Sequence, residues 1–228
     1  MITLYQFPTS PFCEKIRRAL NFKRLGFSIV DVPRADVGRF SHVSPIGKFP
    51  AIDDDGTAVH DSSDILLYLE RTTPHPPLFP TNPRDAALAH ILEDWADESL
   101  YFYELIMRLG WEHNAVRALP AFAATMPGLS NEDILARLAA GVDAITRPQG
   151  LGRKSRDEIV TDARRHMHAL DAMLKDAEWL VGDALSIADI AVVSQLRALL
   201  GATEIVAIVD DLPRIRAWEE RVDRIAPP

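Results

Sequence analysis

A serine and a cysteine three positions apart near the start of the chain, Ser10 and Cys13, are residues whose types and spacing suggest sulfur chemistry. A free thiol has a pKa of about 8.5, so the reactive thiolate is a minor species at neutral pH unless something stabilises it. The Ser10 hydroxyl can donate a hydrogen bond to such an anion. Because the surrounding motif contains no histidine or other base, we predict that Ser10 acts as a hydrogen-bond donor and not as a nucleophile. The alternative is that Ser10 only caps a helix.

Cys13 allows two interpretations. It shares an apolar stripe with Ile16 and Leu20, and a lone cysteine in that position is typically a small buried core residue. A helix N-terminus can instead lower the pKa of a thiol, which would favour redox chemistry or a mixed disulfide at Cys13. The sequence leaves both interpretations open.

The Ser10 turn is predicted to join a strand to a helix. Residues 1–7 form a β-branched and aromatic run, while Ser10 and Pro11 suit the N-cap and the first position of a helix. Free N–H groups and the positive end of the helix dipole make such a turn attractive to anions. Basic side chains of this helix are expected to face solvent: Lys15, Arg17 and Arg18.

The elements that follow predict an α/β unit. Residues 27–32 read as a second strand after Gly26, so the chain begins with a strand–helix–strand unit. The Asp-rich turn at 53–56 predicts a hairpin, and Asp61 is expected to cap a further helix. The first third of the chain is therefore a mixed sheet with helices.

Three of these segments, in this order, resemble glutathione S-transferases. The Ser10 turn has the spacing of a thioredoxin-type Cys-x-x-Cys motif and resembles the active-site turn of bacterial transferases of the serine and cysteine types, where a hydroxyl or thiol faces the glutathione sulfur. The segment Gly47-Lys48-Phe49-Pro50 resembles the family's loop that ends in a cis-proline. The pair Asp61-Ser62 resembles the acidic-Ser pair before a helix.

The resemblance implies a role for each segment. The residue before the cis-proline pairs its backbone with the cysteinyl part of glutathione, and the acidic-Ser pair holds the γ-glutamyl end. An aspartate that accepts from an ammonium and a helix N-terminus that holds a carboxylate suit this amino-acid head. The residues expected to bind glutathione are Lys48, Phe49, Pro50, Asp61 and Ser62.

Five prolines between Thr72 and Arg84 predict an extended segment that neither a helix nor a central strand tolerates. We therefore expect a thioredoxin-like glutathione-binding domain at 1–73, a proline-rich linker at 74–84 and an all-helical C-terminal domain at 85–228. Capping patterns of the type S-x-x-D/E predict three helix starts, at Ser130, Ser155 and Ser186. The last of these, with Gly182 and Asp189, resembles the buried capping motif of the transferase helical domain.

The resemblance also locates a pocket for a second substrate, between the Ser10 turn and a long helix predicted from Asp85 to about Leu109. Aromatic and apolar side chains are expected to line this electrophile pocket: Phe7, Thr9, Phe12, Tyr101, Met107 and Trp111. In related proteins an acid on this helix can reach the partner's glutathione amine, so the resemblance makes Asp94 or Asp97 a candidate for that contact. The resemblance further implies a homodimer.

Composition excludes several classes of protein. The chain carries 25 Lys and Arg against 33 Asp and Glu, a formal charge of −8 that argues against nucleic acid as a partner. A single cysteine excludes an intrachain disulfide, and the start of the chain lacks the pattern of a signal peptide, so a cytoplasmic location is expected. No apolar run suits a membrane span, and no His or Cys cluster predicts a metal site.

The leading functional prediction is a cytoplasmic glutathione transferase of the kind that serves detoxification. Such an enzyme activates glutathione for attack on a small, largely apolar electrophile. One alternative is a glutathione-dependent reductase or lyase. Another is a non-catalytic ligand-binding or partner-binding protein of the same fold, because residues 150–155 resemble a branch that contains metaxin-like and failed-axon-connections proteins.

Overall fold

The computed structural model describes the whole chain, residues 1–228. Its N-terminal part is a four-stranded sheet with two helices and a 3-10 segment at Arg34–Phe40. The elements are β1 (Ile2–Gln6), α1 (Pro11–Phe22), β2 (Phe27–Asp31), β3 (Ala51–Asp54), β4 (Thr57–His60) and α2 (Ser62–Thr72). This is the thioredoxin-like arrangement that the sequence predicts.

The strand order in the sheet is β2-β1-β3-β4. β1 and β2 are parallel, as a strand–helix–strand unit requires, whereas β3 is antiparallel to both β1 and β4. In the register of the sheet, Tyr5 pairs with Ala51, and Ala51 pairs with His60. The turn after β1, the loop before β3 and the start of α2 therefore leave the sheet along one edge.

The rest of the chain is helical. A long helical run from Pro83 to Gly110 contains α3 (Pro83–Trp95) and α4 (Tyr101–Glu104), each followed by a π-helical segment, at Ala96–Leu100 and Leu105–Gly110. The remaining helices are α5 (Glu112–Ala123), α6 (Asn131–Gln149), α7 (Arg156–Met173), α8 (Ile187–Leu199), α9 (Thr203–Asp210) and α10 (Pro213–Ile225). None of the helices combines the length and hydropathy that crossing a bilayer requires.

Helix starts follow the capping patterns in the sequence. Ser130, Ser155 and Ser186 are the N-caps of α6, α7 and α8, and the last two form complete capping boxes. At α8 the fully buried Asp189 carboxylate accepts hydrogen bonds from the Leu180 N–H at 2.9 Å and from the Trp218 indole N–H at 2.8 Å. This carboxylate thereby joins α8 to α10 in the middle of the helical domain.

Two cations of α1 are buried where this helix meets the helical domain. Arg18 has no exposed surface; its guanidinium contacts Glu14 on the same helix, Asp223 of α10 at 2.8 Å and the carbonyl oxygen of Ala226 at 2.8 Å. Lys15 is only 1% exposed. The expectation that Lys15 and Arg18 face solvent is therefore wrong, because α1 is covered on a second side by helices that its own sequence does not reveal.

Candidate functional site

Ser10 is the N-cap of α1, with extended backbone angles and Pro11 at the first helical position. Its Oγ accepts a hydrogen bond from the Cys13 N–H at 3.4 Å. A hydroxyl that accepts with its oxygen keeps its own hydrogen for donation. Ser10 is half-buried, so this turn offers a hydroxyl donor together with the first N–H groups of a helix.

Cys13 points away from the surface. It has no exposed surface and packs in a small apolar cluster with Val32, Val43 and Phe49. Burial raises the pKa of the Cys13 thiol to about 11, although the Phe7 N–H, which donates to Sγ at 3.4 Å, acts in the opposite direction. At neutral pH this group is a thiol, and its surroundings favour the core interpretation over redox chemistry.

The loop before β3 reaches the same sheet edge as the Ser10 turn. The Phe49–Pro50 peptide bond is cis, and the Phe49 ring packs edge-on against Phe7 with centroids 5.3 Å apart. The Ser44 hydroxyl donates to the Lys48 carbonyl at 2.6 Å and so fixes the loop. The backbone N–H and carbonyl of Phe49 have no hydrogen-bond partner within the chain.

The third segment on this edge is the start of α2. Asp61 is the N-cap, with φ at 75°, a left-handed value that costs a non-glycine residue on the order of 1–3 kcal/mol. Its carboxylate accepts from the Ser63 N–H at 2.9 Å while the residue stays exposed. Ser62 follows at the first helical position and is 5% exposed. Strain of this kind is concentrated at ligand sites.

Part of the expected electrophile wall is present. Phe12 of α1 packs against Tyr101 of α4 with ring centroids 4.9 Å apart, and Phe7 lies under the Arg34 guanidinium at 4.3 Å. Met107 and Trp111 are placed differently from the expectation. Met107 has no exposed surface and Trp111 only 6%, since both pack into the core of the helical domain.

A cleft of about 430 Å³ lies beside the Ser10 turn, between the two domains. Pro8, Thr9, Pro11 and Glu14 form one side. The opposite side comes from the helical domain, where small residues alternate with three arginines: Arg108, Arg117, Ala118, Ala121, Arg197, Ala198 and Gly201. The sequence analysis did not identify these arginines, because they lie on three separate helices and carry no shared motif.

Comparison with known proteins assigns the family. A family model of the glutathione S-transferase N-terminal domain matches residues 4–77, and one of the glutathione S-transferase C-terminal domain matches residues 135–225. Together the two models match most of the chain, in the order that the fold shows. The chain belongs to the glutathione S-transferase family. Membership of this family supports glutathione as the co-substrate.

The individual relatives of this chain have low sequence identity to it. The isoprene-epoxide–glutathione S-transferase of a Rhodococcus species is 26% identical over 86% of this chain and 86% of its own. FtsZ-localized protein A of Caulobacter vibrioides is also 26% identical, over 86% of this chain and 76% of its own. Among solved structures, the β-etherase LigF of a Sphingobium species superposes with a TM-score of 0.72 at 23% identity, covering 97% of this chain and 94% of that one.

A buried ion cluster connects the sheet-containing domain to the helical domain. The Lys15 ammonium of α1 donates to Glu93 at 2.7 Å and to Asp97 at 2.5 Å, and the Ser63 hydroxyl of α2 donates to Glu93 at 2.6 Å. Burial raises the pKa of Asp97 to about 6, although the charge of Lys15 acts in the opposite direction. Asp97 is thus engaged within the chain by Lys15, whereas Asp94 is exposed.

Proposed function

We propose that this transferase activates the glutathione thiolate at Ser10 for attack on a small electrophile with a largely apolar frame. The observation that carries the proposal is the Ser10 hydroxyl at the N-cap of α1, beside a cleft between the two domains. In this position the hydroxyl and the helix N-terminus both favour an anion. The thiolate sulfur would form a bond to the electrophilic carbon as the leaving group departs with its electron pair.

The other two segments at the sheet edge support a place for the rest of glutathione. The unpaired backbone groups of Phe49 suit an extended peptide, which offers one donor and one acceptor. Asp61 and the start of α2 suit the ammonium and the carboxylate of an amino-acid head. We accordingly assign glutathione binding to Lys48, Phe49, Pro50, Asp61 and Ser62.

Aromatic rings supply the apolar wall. Phe12 and Tyr101 pack edge-on where α1 meets α4. Thr9 lines the cleft beside the turn, and Phe7 packs against Phe49 and Arg34. Burial raises the pKa of Tyr101 to about 12, so its hydroxyl stays protonated and can donate to a developing negative charge.

The test of Ser10 is its replacement by alanine. In Ser10→Ala we expect glutathione to bind with similar affinity, the pKa of the bound thiol to rise by about one to two units and kcat/KM to fall by roughly a hundredfold. Calorimetric titration measures binding, and ultraviolet absorbance of the thiolate across pH measures the pKa. Ser28→Ala, on an exposed strand position far from the turn, is the matched control. Equal turnover in Ser10→Ala would remove this residue from the mechanism.

A non-catalytic binding role is the second candidate. The similarity to FtsZ-localized protein A favours it, because the name of that relative describes a location and not a reaction. Failure of the purified protein to bind glutathione in the same titration would support this candidate over the transferase. The reductase alternative loses support from the burial of Cys13, and a lyase would still need the bound thiolate at Ser10.

We further propose a cytoplasmic homodimer. The family favours a dimer, and three apolar side chains on neighbouring helices are left uncovered in the single chain. Leu67 of α2 is 48% exposed, and Leu88 and Ile91 of α3 are 40% and 62% exposed. Clusters of exposed apolar side chains mark surfaces that another protein covers.

A further inference from the structure

The lining of the cleft beside the Ser10 turn contains more basic than acidic side chains. Arg108 from the π-helical segment after α4, Arg117 from α5 and Arg197 from α8 all line it, against one acidic residue, Glu14. The molecule as a whole carries a formal charge of −8. A cluster of cations in an acidic protein attracts an anionic ligand to one place.

A fourth arginine, Arg34, does not line the cleft itself but contacts Thr9, which does, and it has no counter-charge. The Arg34 guanidinium lies between the rings of Phe7 and Phe122, at 4.3 and 5.4 Å, and reaches the Thr9 hydroxyl at 3.5 Å. Its buried Nε has no hydrogen-bond partner, and no carboxylate lies within ion-pair distance of it. Burying a charged donor without a partner is costly, so an anion from a ligand would stabilise this arrangement.

The cations that line the cleft are only partly neutralised by the protein. Arg108 pairs with Glu104 at 2.7 Å, and Arg197 pairs with Asp223 at 2.6 Å and with Glu14 at 3.3 Å, so the protein itself neutralises both of these cations. Arg117 is exposed and, like Arg34, forms no ion pair within the chain. Two of the four guanidiniums therefore remain free to contact a ligand, and guanidiniums match the geometry of carboxylates.

From this geometry we propose that the electrophile of this transferase carries a carboxylate, which Arg117 and Arg34 hold while the thiolate attacks the apolar part of the molecule. The inference rests on the proposed function, because it names the substrate class of the same site. The carboxylate itself does not react. The new sulfur–carbon bond forms at the electrophilic carbon, the leaving group takes its electron pair, and the carboxylate stays with the product.

Two probes that differ in a single substituent, an anionic carboxylate against a neutral amide of similar size, test the proposal. Chlorodinitrobenzoate and the matching chlorodinitrobenzamide share one aromatic ring and one chloride leaving group. In calorimetric titration without glutathione, we expect the benzoate to bind about ten times more tightly than the benzamide, since a hydrogen bond to a charged group contributes roughly that much. Added salt should reduce this difference. Equal binding of the two probes would overturn the proposal.

A pair of variants locates the effect. The Arg117→Gln variant should lose most of the preference for the benzoate. The control variant is Arg137→Gln, which changes the net charge by the same amount at an exposed position of α6 outside the cleft. This control should keep the preference. Because Arg117 is exposed and forms no ion pair, its replacement should leave the circular dichroism spectrum and the Tm unchanged. A benzoate preference that is identical in both variants would overturn the role of Arg117.

Turnover with glutathione separates this inference from the proposed function. Each kcat/KM is divided by the rate of the uncatalysed reaction of the same probe, and we expect the benzoate to exceed the benzamide by about tenfold. Equal ratios for the two probes would overturn the anion preference and leave the transferase function intact. No turnover of either probe, with tight binding of the benzoate, would instead overturn the transferase function and leave the anion site standing.

Discussion

At the residue scale, the side chains of Ser10 and Cys13 have opposite surroundings although they lie within one turn of a helix. The Ser10 hydroxyl sits half-buried at the helix cap, where a ligand can reach it. Cys13 is enclosed by the small apolar cluster behind the turn. A thiolate buried there would lose its hydration, so the Cys13 side chain stays a neutral thiol.

The state of Cys13 can be measured directly because it is the only cysteine. Its pKa is raised to about 11, and each unit lowers the thiolate fraction tenfold, so we expect alkylation by iodoacetamide at pH 8 to be at least about a hundredfold slower in the native than in the urea-unfolded protein. Mass spectrometry of quenched samples gives both rates. Native alkylation as fast as in urea would restore the redox interpretation.

The same shift has a consequence for stability. Between the unfolded pKa and about pH 11, the unfolded chain releases the thiol proton while the folded chain retains it. The folded state then binds more protons, so the free energy of unfolding falls as pH rises through this window. A Cys13→Ala variant lacks this part of the pH dependence, which urea titrations at several alkaline pH values would show.

At the scale of elements, α1 begins at the Ser10 cap and also attaches the sheet to the helical domain. Lys15 is held between Glu93 and Asp97 of the long helical run, at the interface of the two domains. Buried ion pairs contribute little net stability, but removing one partner leaves uncompensated charge. The position of α1 is therefore coupled to the position of the long helical run that faces it.

We expect Lys15→Met to destabilise the protein by about 3–5 kcal/mol, because two buried carboxylates lose their cation. Adding Glu93→Gln and Asp97→Asn to this variant should recover much of the loss, since the uncompensated charges are then gone. Urea unfolding monitored by circular dichroism measures each free energy, and Lys175→Met, at an exposed position, is the control. A loss below about 1 kcal/mol in Lys15→Met would show that the cluster is hydrated.

Local patterns account for much of what the sequence predicted correctly. Ser10 and Pro11 define the start of α1, and the capping serines define α6, α7 and α8, because caps depend on a few neighbouring residues. The burial of Lys15 depends on a carboxylate 78 positions away, and no local pattern contains that information. The same limit concealed the arginines of the cleft, which only tertiary packing brings together.

At the scale of the whole molecule, the Ser10 turn and the cation-lined cleft lie where the two domains meet. The exposed apolar residues Leu67, Leu88 and Ile91 lie on two other helices, α2 and α3. If those residues form the dimer interface, a charge placed among them should separate the subunits without touching the cleft. We expect Ile91→Glu to convert a dimer into a monomer, because an ionised side chain would be buried without a partner.

Light scattering on a size-exclusion column gives the mass of each variant. Ile145→Glu on α6, at a position 46% exposed, provides the control for the added charge. A wild-type protein that elutes as a monomer would contradict the dimer. An Ile91→Glu variant that remains dimeric would place the interface elsewhere. Circular dichroism spectra of both variants would show whether they remain folded.

The burial of Arg18 depends on residues that the ribosome synthesises last. This arginine belongs to the first helix that leaves the ribosome, yet two of its partners, Asp223 and the carbonyl of Ala226, are more than 200 positions later. Until the last helix emerges during translation, we expect one face of α1 to stay uncovered and the Arg18 guanidinium to have only Glu14, on the same helix, as an ion-pair partner. A nascent chain stalled before α10 should therefore bind holdase chaperones at α1 and remain sensitive to protease there.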